Sequence, residues 1–339
     1  MVKFYTENGD SPGVKAILNV LTAALNAKGI KSGVVGALAE ESANDLIIPY
    51  GPKNSYLYLN SNPQSRKLAL LVDYYSLGCK NKIFFYLKKG KLYYWDFWYS
   101  IISYFRYHYK EKLVAKSFDY VMLASDQDAR MMSKDFKVDN IIVARNLIGK
   151  HEIVKPRNRE QDKLVLGIIS HWTKISVDET RWFIEDVFPK LRVKYPNIEL
   201  KIAGRGDAEL AKRHFRGEGV NFVGEVSNLD DYFGSLDVYV ATVPKGCGVL
   251  NKLLDSFSYK VYSIGIRQSF SAFEDLQDGY VVCETADDFE NAIELYLNNK
   301  ERVTEIVDNA YNYVRKHNSS EENYNEVISI IEKEASICE

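Results

Sequence analysis

Residues 164–203 read LVLGIISHWTKISVDETRWFIEDVFPKLRVKYPNIELKIA. Leu164–Ile169 and Ile198–Ala203 are short apolar runs rich in β-branched residues. Between them Trp182, Phe183, Val187, Phe188 and Leu191 recur at helical spacing. A run that is apolar at successive positions suits a strand buried on both faces, and an intervening helix carries the chain back to start a parallel neighbour. Pro189 lacks an N–H, so it predicts a kink or restart in that helix. The alternation continues through runs at 220–223, 238–241, 261–264 and 280–283. This half therefore reads as a parallel sheet covered by helices.

Outward from there the theme repeats, less sharply, towards the N-terminus. Val2–Tyr5 reads as a first strand, followed by a polar turn at 7–13 and a helix from about Val14 to Lys28. Further strands are expected near 33–37, 45–50, 68–72, 120–124 and 141–144. Residues 155–162, KPRNREQD, have linker composition and set the boundary. The expected organisation is a doubly wound α/β domain over 1–155, a second over 156–316, and a final segment, 317–339. That segment has Ser319 or Ser320 as N-cap and then an amphipathic helix.

Composition narrows the class. The 339 residues carry 44 Lys and Arg against 46 Asp and Glu, a net charge of −2, and 46% are hydrophobic. Such a balance fits a globular protein and argues against a dedicated nucleic-acid binder, so no nucleic-acid partner is expected. No apolar run approaches the roughly 20 residues that span a bilayer. MVKFYTENGD turns polar too early for a signal-peptide core. Cys79, Cys247, Cys283 and Cys338 are widely spaced and read as reduced thiols. Cytoplasmic placement is expected. The five histidines lack metal-ligand spacing, and the chain has no GxGxxG after its first strand, no P-loop, no GxSxG and no HExxH.

The most informative chemistry lies in Pro244-Lys245-Gly246-Cys247-Gly248-Val249-Leu250-Asn251-Lys252-Leu253-Leu254-Asp255. It follows the 238–241 strand and opens a helix. Its glycines permit close backbone approach, and a helix start favours anions. Lys252 adds a full positive charge, and Asp255, three residues on, shares its helix face. A carboxylate can accept from two hydroxyls of a ribose diol. One reading is a diphosphate at the helix start with a sugar diol beside Asp255. The other is an ordinary crossover with a surface Lys–Asp pair.

From Lys163 onward the order of segments (LVLGIISHW, then IELKIAGRGD, NFVGEVSNLDDYFGSLDVYVATVP, GCGVLNKLLDSFSYKVYSIG and DGYVVCETADDFENAI) resembles the nucleotide-sugar domain of retaining GT-B glycosyltransferases. These belong to the "glycosyl transferases group 1" family, and the likeness is to members of surface-polysaccharide assembly. It covers about 150 residues. Residues 68–73 and 118–126 resemble N-terminal segments of the same enzymes. The resemblance implies a GT-B architecture: two Rossmann-like domains facing a cleft, with the C-terminal helix returning to the first. It implies a hexosyltransferase-type enzyme that moves a sugar from a UDP- or GDP-sugar to a glycan or lipid-linked acceptor with retention. No metal or other cofactor is expected. Gly248, Val249 and Leu250 would offer N–H groups to the diphosphate, Lys252 would neutralise it, and Asp255 would hold the ribose. Lys174 and His171 would assist at the phosphates. The Gly204-Arg205-Gly206 turn would lie near base or phosphate, or else simply end a strand.

In the first domain, Asp10 and Gly13 fall where the family places a loop facing phosphates and acceptor. Asp73 ends a strand and would orient or deprotonate the acceptor hydroxyl, unless it only caps a turn. Two departures bear on activity. Cys247 stands where the family's first motif carboxylate falls, and Ile168 or Ile169 stands where its arginine falls. These favour one rival, a catalytically silent GT-B-like sugar-nucleotide-binding scaffold. In-class rivals are an inverting GT-B transferase and a sugar-nucleotide epimerase.

The remaining anomaly is aromatic. Residues 80–112 hold 13 of the chain's Phe, Tyr and Trp, with eight Lys or Arg against Asp96 and Glu111. Rings interleaved with cations suit an anionic membrane surface, which would make the protein peripheral on the cytoplasmic leaflet. The alternative places these rings in the core and cleft of the first domain.

Overall fold

A computed structural model describes residues 1–7, 12–37, 45–61, 63, 66–88, 90, 92–148, 163–242, 247–318 and 321–337. By its contacts the chain divides into two units. One comprises Met1–Leu147, Gly246–Val249 and Ser320–Glu339, and the other Ile148–Lys245 and Leu250–Ser319. The linker expected at 155–162 and the caps expected at Ser319 or Ser320 lie outside the described residues.

Unit 1 contains β1 (Val2–Tyr5), β2 (Ser32–Val35), β3 (Leu46–Pro49), β4 (Leu68–Val72), β5 (Tyr120–Leu123) and β6 (Ile141–Val143). All pairings are parallel, in the orders β2-β1-β3 and β4-β5-β6, and an isolated parallel bridge between Tyr50 and Leu70 joins the two sets. Its helices are α1 (Pro12–Ala27), α2 (Gly51–Asn60), α3 (Tyr75–Lys88), α4 (Trp95–Ser117) and α5 (Asp126–Phe136). Period-two alternation sorts the strand side chains onto two cores. Val2, Phe4, Ile48, Leu70 and Met122 meet Leu18, Leu21 and Leu25 of α1. Ile47, Leu71, Val121 and Leu123 meet Tyr58 of α2, Val114 of α4 and Met132 of α5.

The first of these cores is completed by the end of the chain. Tyr324, and Val327, Ile328 and Ile331 of the terminal helix, are buried in it. The preceding helix of unit 2 runs through Asn318, so the terminal helix spans Asn325–Ile337 rather than starting near 317. Lys28 of α1 pairs with Glu332 on it at 2.8 Å.

Unit 2 is a six-stranded parallel sheet of β7 (Leu164–Ile169), β8 (Ile198–Ala203), β9 (Val220–Gly224), β10 (Val238–Ala241), β11 (Tyr262–Gly265) and β12 (Val281–Val282). Its order, β12-β11-β10-β7-β8-β9, reverses direction between β7 and β10. That is the dinucleotide-binding strand order, and its ligand crevice lies at the carboxyl ends of the two switch-point strands. The connecting helices are α6 (Lys174–Trp182), α7 (Phe188–Lys194), α8 (Ala208–His214), α9 (Leu229–Gly234), α10 (Asn251–Ser258), α11 (Ala286–Asn298) and α12 (Lys300–Asn318), and the terminal helix of unit 1 is α13. The disturbance expected at Pro189 appears as one π-helical turn, Phe183–Val187, between α6 and α7. A wider turn absorbs the carbonyl that proline cannot bond, so the helix continues instead of breaking.

Candidate functional site

In unit 2 the switch point is built from loops that the sequence fragments only hinted at. After β7 the chain runs Ser170-His171-Trp172-Thr173, and Thr173 caps α6 in a reciprocal box with Ser176. Trp172 is buried, and its N–H donates to the Arg205 carbonyl at 2.7 Å while its own carbonyl accepts from the Asp207 N–H at 2.8 Å. Gly204 and Gly206, at φ 132° and 105°, are required by this zipper. A Cβ on either would lie 1.8 Å from the Ser170 carbonyl oxygen or 2.3 Å from that of Trp172. The glycines of the 204–206 turn thus serve loop packing. That packing places the exposed His171, Lys174 and Arg205 at the carboxyl end of one sheet. Arg205 lies 3.9 Å from Glu225, an exposed pair worth little by itself. Across the switch point, the buried hydroxyls of Thr180 on α6 and Thr242 after β10 lie 3.0 Å apart.

The α10 helix that follows carries the Lys–Asp motif. Lys252 Nζ donates to Asp255 Oδ2 at 3.0 Å, and the two side chains are 33% and 16% exposed. The pair is therefore half-buried, and the expected shared helix face is observed. Beneath it, Tyr239 of β10 is fully buried, and its phenol is pushed up first by burial and then by the Asp255 charge. The start of α10 has Leu250 at its N-cap, with no side-chain cap.

In unit 1 the strand end at β4 is strained. Val72 has φ 70°, a left-handed conformation unusual for a β-branched residue, and the β4–β5 register shifts beside it. The Asp73 N–H closes a three-residue turn onto the Leu71 carbonyl at 2.9 Å. This turn swings Asp73 off the strand line. Asp73 then lies against Gly248, where an added Cβ would meet Asp73 Oδ1 at 1.8 Å, and Gly248 itself sits at φ 66°. The phenols of Tyr50 and Tyr75 are both raised, by burial first and the Asp73 charge second.

Two buried carboxylates that sequence reasoning passed over organise this end of unit 1. Asp128, in the first turn of α5, accepts from the Tyr74 N–H at 2.9 Å and the Gly248 N–H at 2.8 Å. Glu111, projecting from α4, accepts from the N–H groups of Tyr75 at 2.7 Å and Ser76 at 3.1 Å. The start of α3 is thus sealed by acids of the chain itself, in the positions an external anion would take. Burial pushes the Glu111 carboxyl up to about 8, against the pull of those hydrogen bonds.

One role implied by the family resemblance is altered by this geometry. The Gly248 N–H is donated to Asp128 and does not present itself to a diphosphate. Val249 is buried, and Cys247 packs over Gly78 of α3. Gly13 lies in the first turn of α1, and Asp10 lies outside the described residues. Among the described residues no group of three or more His, Cys, Asp or Glu could hold a metal ion. A cavity of about 480 Å³ lined by Phe188, Arg192, Arg216 and Glu218 opens near the start of β9. It is at the opposite end of the sheet from the switch-point loops.

Comparison with known proteins agrees with this architecture. Residues 163–299 match the family described as "Glycosyl transferases group 1". No curated protein sequence matches the chain. Among solved structures, the chain is similar to Staphylococcus aureus TarM in complex with UDP and α-GlcNAc-glycerol, at 16% identity and TM-score 0.63. That likeness covers 91% of this chain and 58% of TarM, so the chain spans little more than half of TarM's length. It is similar to the sucrose-phosphate synthase of Thermosynechococcus elongatus at 14% identity and TM-score 0.72, covering 99% of both. It is also similar to WaaG, a glycosyltransferase involved in lipopolysaccharide biosynthesis, at 14% identity and TM-score 0.60, covering 100% of this chain and 99% of WaaG. The chain thus has the GT-B fold, and the match to the glycosyl transferases group 1 family falls within unit 2 apart from Gly246–Val249.

Proposed function

We propose that this chain is a glycosyltransferase that moves a sugar from a UDP- or GDP-sugar to a glycan or lipid-linked acceptor. The observation that carries the reading is the half-buried Lys252–Asp255 pair, in the first two turns of the helix that follows switch-point strand β10. Phosphates met by Lys252 would displace its ammonium from Asp255 only in part, since a lysine has three N–H donors and a carboxylate several acceptor sites. Asp255 would then accept from a ribose diol. His171, Lys174 and Arg205 would add donors to the same strand ends. In the transition state, negative charge grows on the departing diphosphate, and fixed positive groups in a partly dry site stabilise it. Asp73, turned off its strand by the strained Val72, would orient or deprotonate the acceptor hydroxyl. Retention and the absence of a metal are part of the proposal and rest on the resemblance of the 246–255 stretch.

A second reading, a sugar-nucleotide-binding scaffold without turnover, is favoured by Cys247 and by the engagement of the Gly248 N–H with Asp128. Turnover of a panel of UDP- and GDP-sugars, with and without chelator, separates the two. Nucleotide release that survives the chelator supports the enzyme. Tight donor binding with no release under any acceptor condition supports the scaffold. No affinity for any nucleoside diphosphate overturns both.

A further inference from the structure

The α3–α4 hairpin exposes more apolar surface than it buries polar. From Trp95 to Tyr109 the buried residues of α4 are Phe97, Ser100 and Ser103, and Glu111, Val114 and Ala115 follow. The outward face carries Trp95, Trp98, Tyr99, Ile102, Phe105 and Tyr109. Positions 95, 98/99, 102, 105 and 109 recur every three or four residues and form one stripe, and Trp95, Ile102 and Phe105 are 72%, 61% and 67% exposed. The stripe continues onto the hairpin's end, where Phe84 and Leu87 of α3 and Leu92 and Tyr93 of the connection are also exposed, Tyr93 at 81%. A neck of rings is tucked in, where Tyr86 meets Phe97 edge-on at 6.4 Å and stacks with Tyr94 at 6.3 Å, and Tyr107 stacks on Tyr75 at 5.5 Å. A water-facing helix normally shows the opposite pattern, and a contiguous exposed apolar patch of this kind marks a surface made to be covered.

What covers it is indicated by the charges. Lys82 and Lys88 of α3 and Arg106, Lys112 and Lys116 of α4 are exposed on the same two helices. Asp96 is the only acidic residue in the exposed or half-buried part of the two helices, because Glu111 is buried against the start of α3. Among the described residues no helix is long and apolar enough to cross a membrane. Exposed rings and cations on one surface suit an interface that takes rings at the headgroup level and positive charge against anionic lipid.

We infer that the α3–α4 hairpin is a membrane-docking element that seats its aromatic stripe in the headgroup region of an anionic bilayer. Of the thirteen rings between 80 and 112, Phe84, Tyr93, Trp95, Trp98, Tyr99, Phe105 and Tyr109 are exposed, so the alternative of core and cleft holds at most for the other six. The inference is independent of the donor chemistry, because it concerns a surface formed by α3 and α4 alone. If it is right, the proposed glycosyl transfer takes place at a lipid surface, and a lipid-linked acceptor is the natural substrate.

The chain has four tryptophans, of which Trp172 is buried and Trp182 is packed on Phe289, whereas Trp95 and Trp98 lie on the stripe. The full chain should therefore co-sediment with vesicles containing phosphatidylglycerol, with a blue shift and gain of tryptophan emission and quenching by lipids brominated high on the acyl chain. Vesicles of phosphatidylcholine alone should bind at least tenfold more weakly. Each of Lys82→Gln, Lys88→Gln and Arg106→Gln should weaken binding about fivefold, and added salt should act in the same direction. Trp95→Ser with Phe105→Ser should abolish the emission shift while circular dichroism and donor affinity stay unchanged. Wild-type protein that ignores anionic vesicles at low salt overturns the inference. So does a dimer in sedimentation velocity that the Trp95→Ser, Phe105→Ser variant dissolves, since a second copy would then be the cover. Loss of turnover with intact vesicle binding would count against the proposed function alone.

Discussion

The two units solve the same fold with opposite use of their polar groups. In unit 1 the helix start after β4 is closed by the chain's own carboxylates, Asp128 and Glu111, which take the N–H groups of Tyr74, Tyr75 and Ser76. In unit 2 the helix start after β10 has no side-chain cap on its N-cap residue, Leu250, and the ammonium of Lys252 in the first turn is held by Asp255. A helix start favours one negative guest, and in unit 1 that guest is already built in. The lesson is that the strand-end geometry of a doubly wound sheet does not by itself make an anion site. The side chains that meet each helix start decide whether the chain's own acids seal it. The units differ also in closure. Unit 2 takes its sheet and helices from 148–319, interrupted only at 246–249, whereas one face of unit 1 is completed by α13 from the far end of the chain.

Removing α13 should give the largest effect. Tyr324, Val327, Ile328 and Ile331 are buried, and at about 1.5–3 kcal/mol for each apolar side chain their loss approaches the whole stability of a domain. A chain ending at Asn318 should lose amide protection throughout β1–β6 while β7–β12 keep theirs. Equal protection in both units would erase the contrast in closure. Next comes Asp128→Ala, which leaves the Tyr74 and Gly248 N–H groups without their acceptor and should cost about 4 kcal/mol in urea unfolding of unit 1. A loss below about 1 kcal/mol would mean that the seal is cosmetic.

Glu111 tests the seal through pH. Its carboxyl is raised from 4.5 to about 8 in the folded chain. Between those values the folded state holds more protons than the unfolded state, so stability must fall as pH rises. The contribution is complete below about 4.5 and lost on passing through about 8. Glu111→Gln removes this slope and exchanges one acceptor for a donor, at about 2 kcal/mol. Urea midpoints of wild type should fall more steeply than those of the variant between about pH 5 and pH 8. Parallel curves would show that Glu111 titrates alike in both states. The α10 end of unit 2 is probed by Lys252→Ala, which should weaken nucleoside diphosphates about thirtyfold, since hydrogen bonds to charged groups contribute roughly 1.5–3 kcal/mol, and leave the free nucleoside untouched. Asp255→Ala should weaken both about tenfold, because a ribose contact is common to them. Calorimetry with unchanged affinities in both variants would leave α10 without a ligand role.

Much of this was legible in order along the chain. The runs at 164–169 and 198–203 became β7 and β8 with the same ends, because a strand buried on both faces has nowhere to hide a polar residue. The Lys252–Asp255 face followed from helical spacing alone, which needs no partner to be known. Asp128, Glu111 and the turn at Val72 were not legible. Asp128 bonds Gly248 across 120 residues, and Glu111 bonds Tyr75 across 36, so nothing local marks either as a cap. Strain at Val72 arises only once β4 is paired and its last residue must bend away.

The aromatic window shows the same division from the other side. Composition established that rings and cations share residues 80–112, yet it permits burial or exposure equally. Only tertiary packing determined which face of α4 turns inward: the face that puts Val114 and Ala115 into the core and Glu111 against the start of α3. Residue order thus determined the two parallel sheets, since burial on both faces of a strand is a local demand on composition. Which helix start is sealed, which glycine amide is held, and which apolar face meets solvent were decided by contacts between distant residues. Those contacts exist only after the sheets have formed.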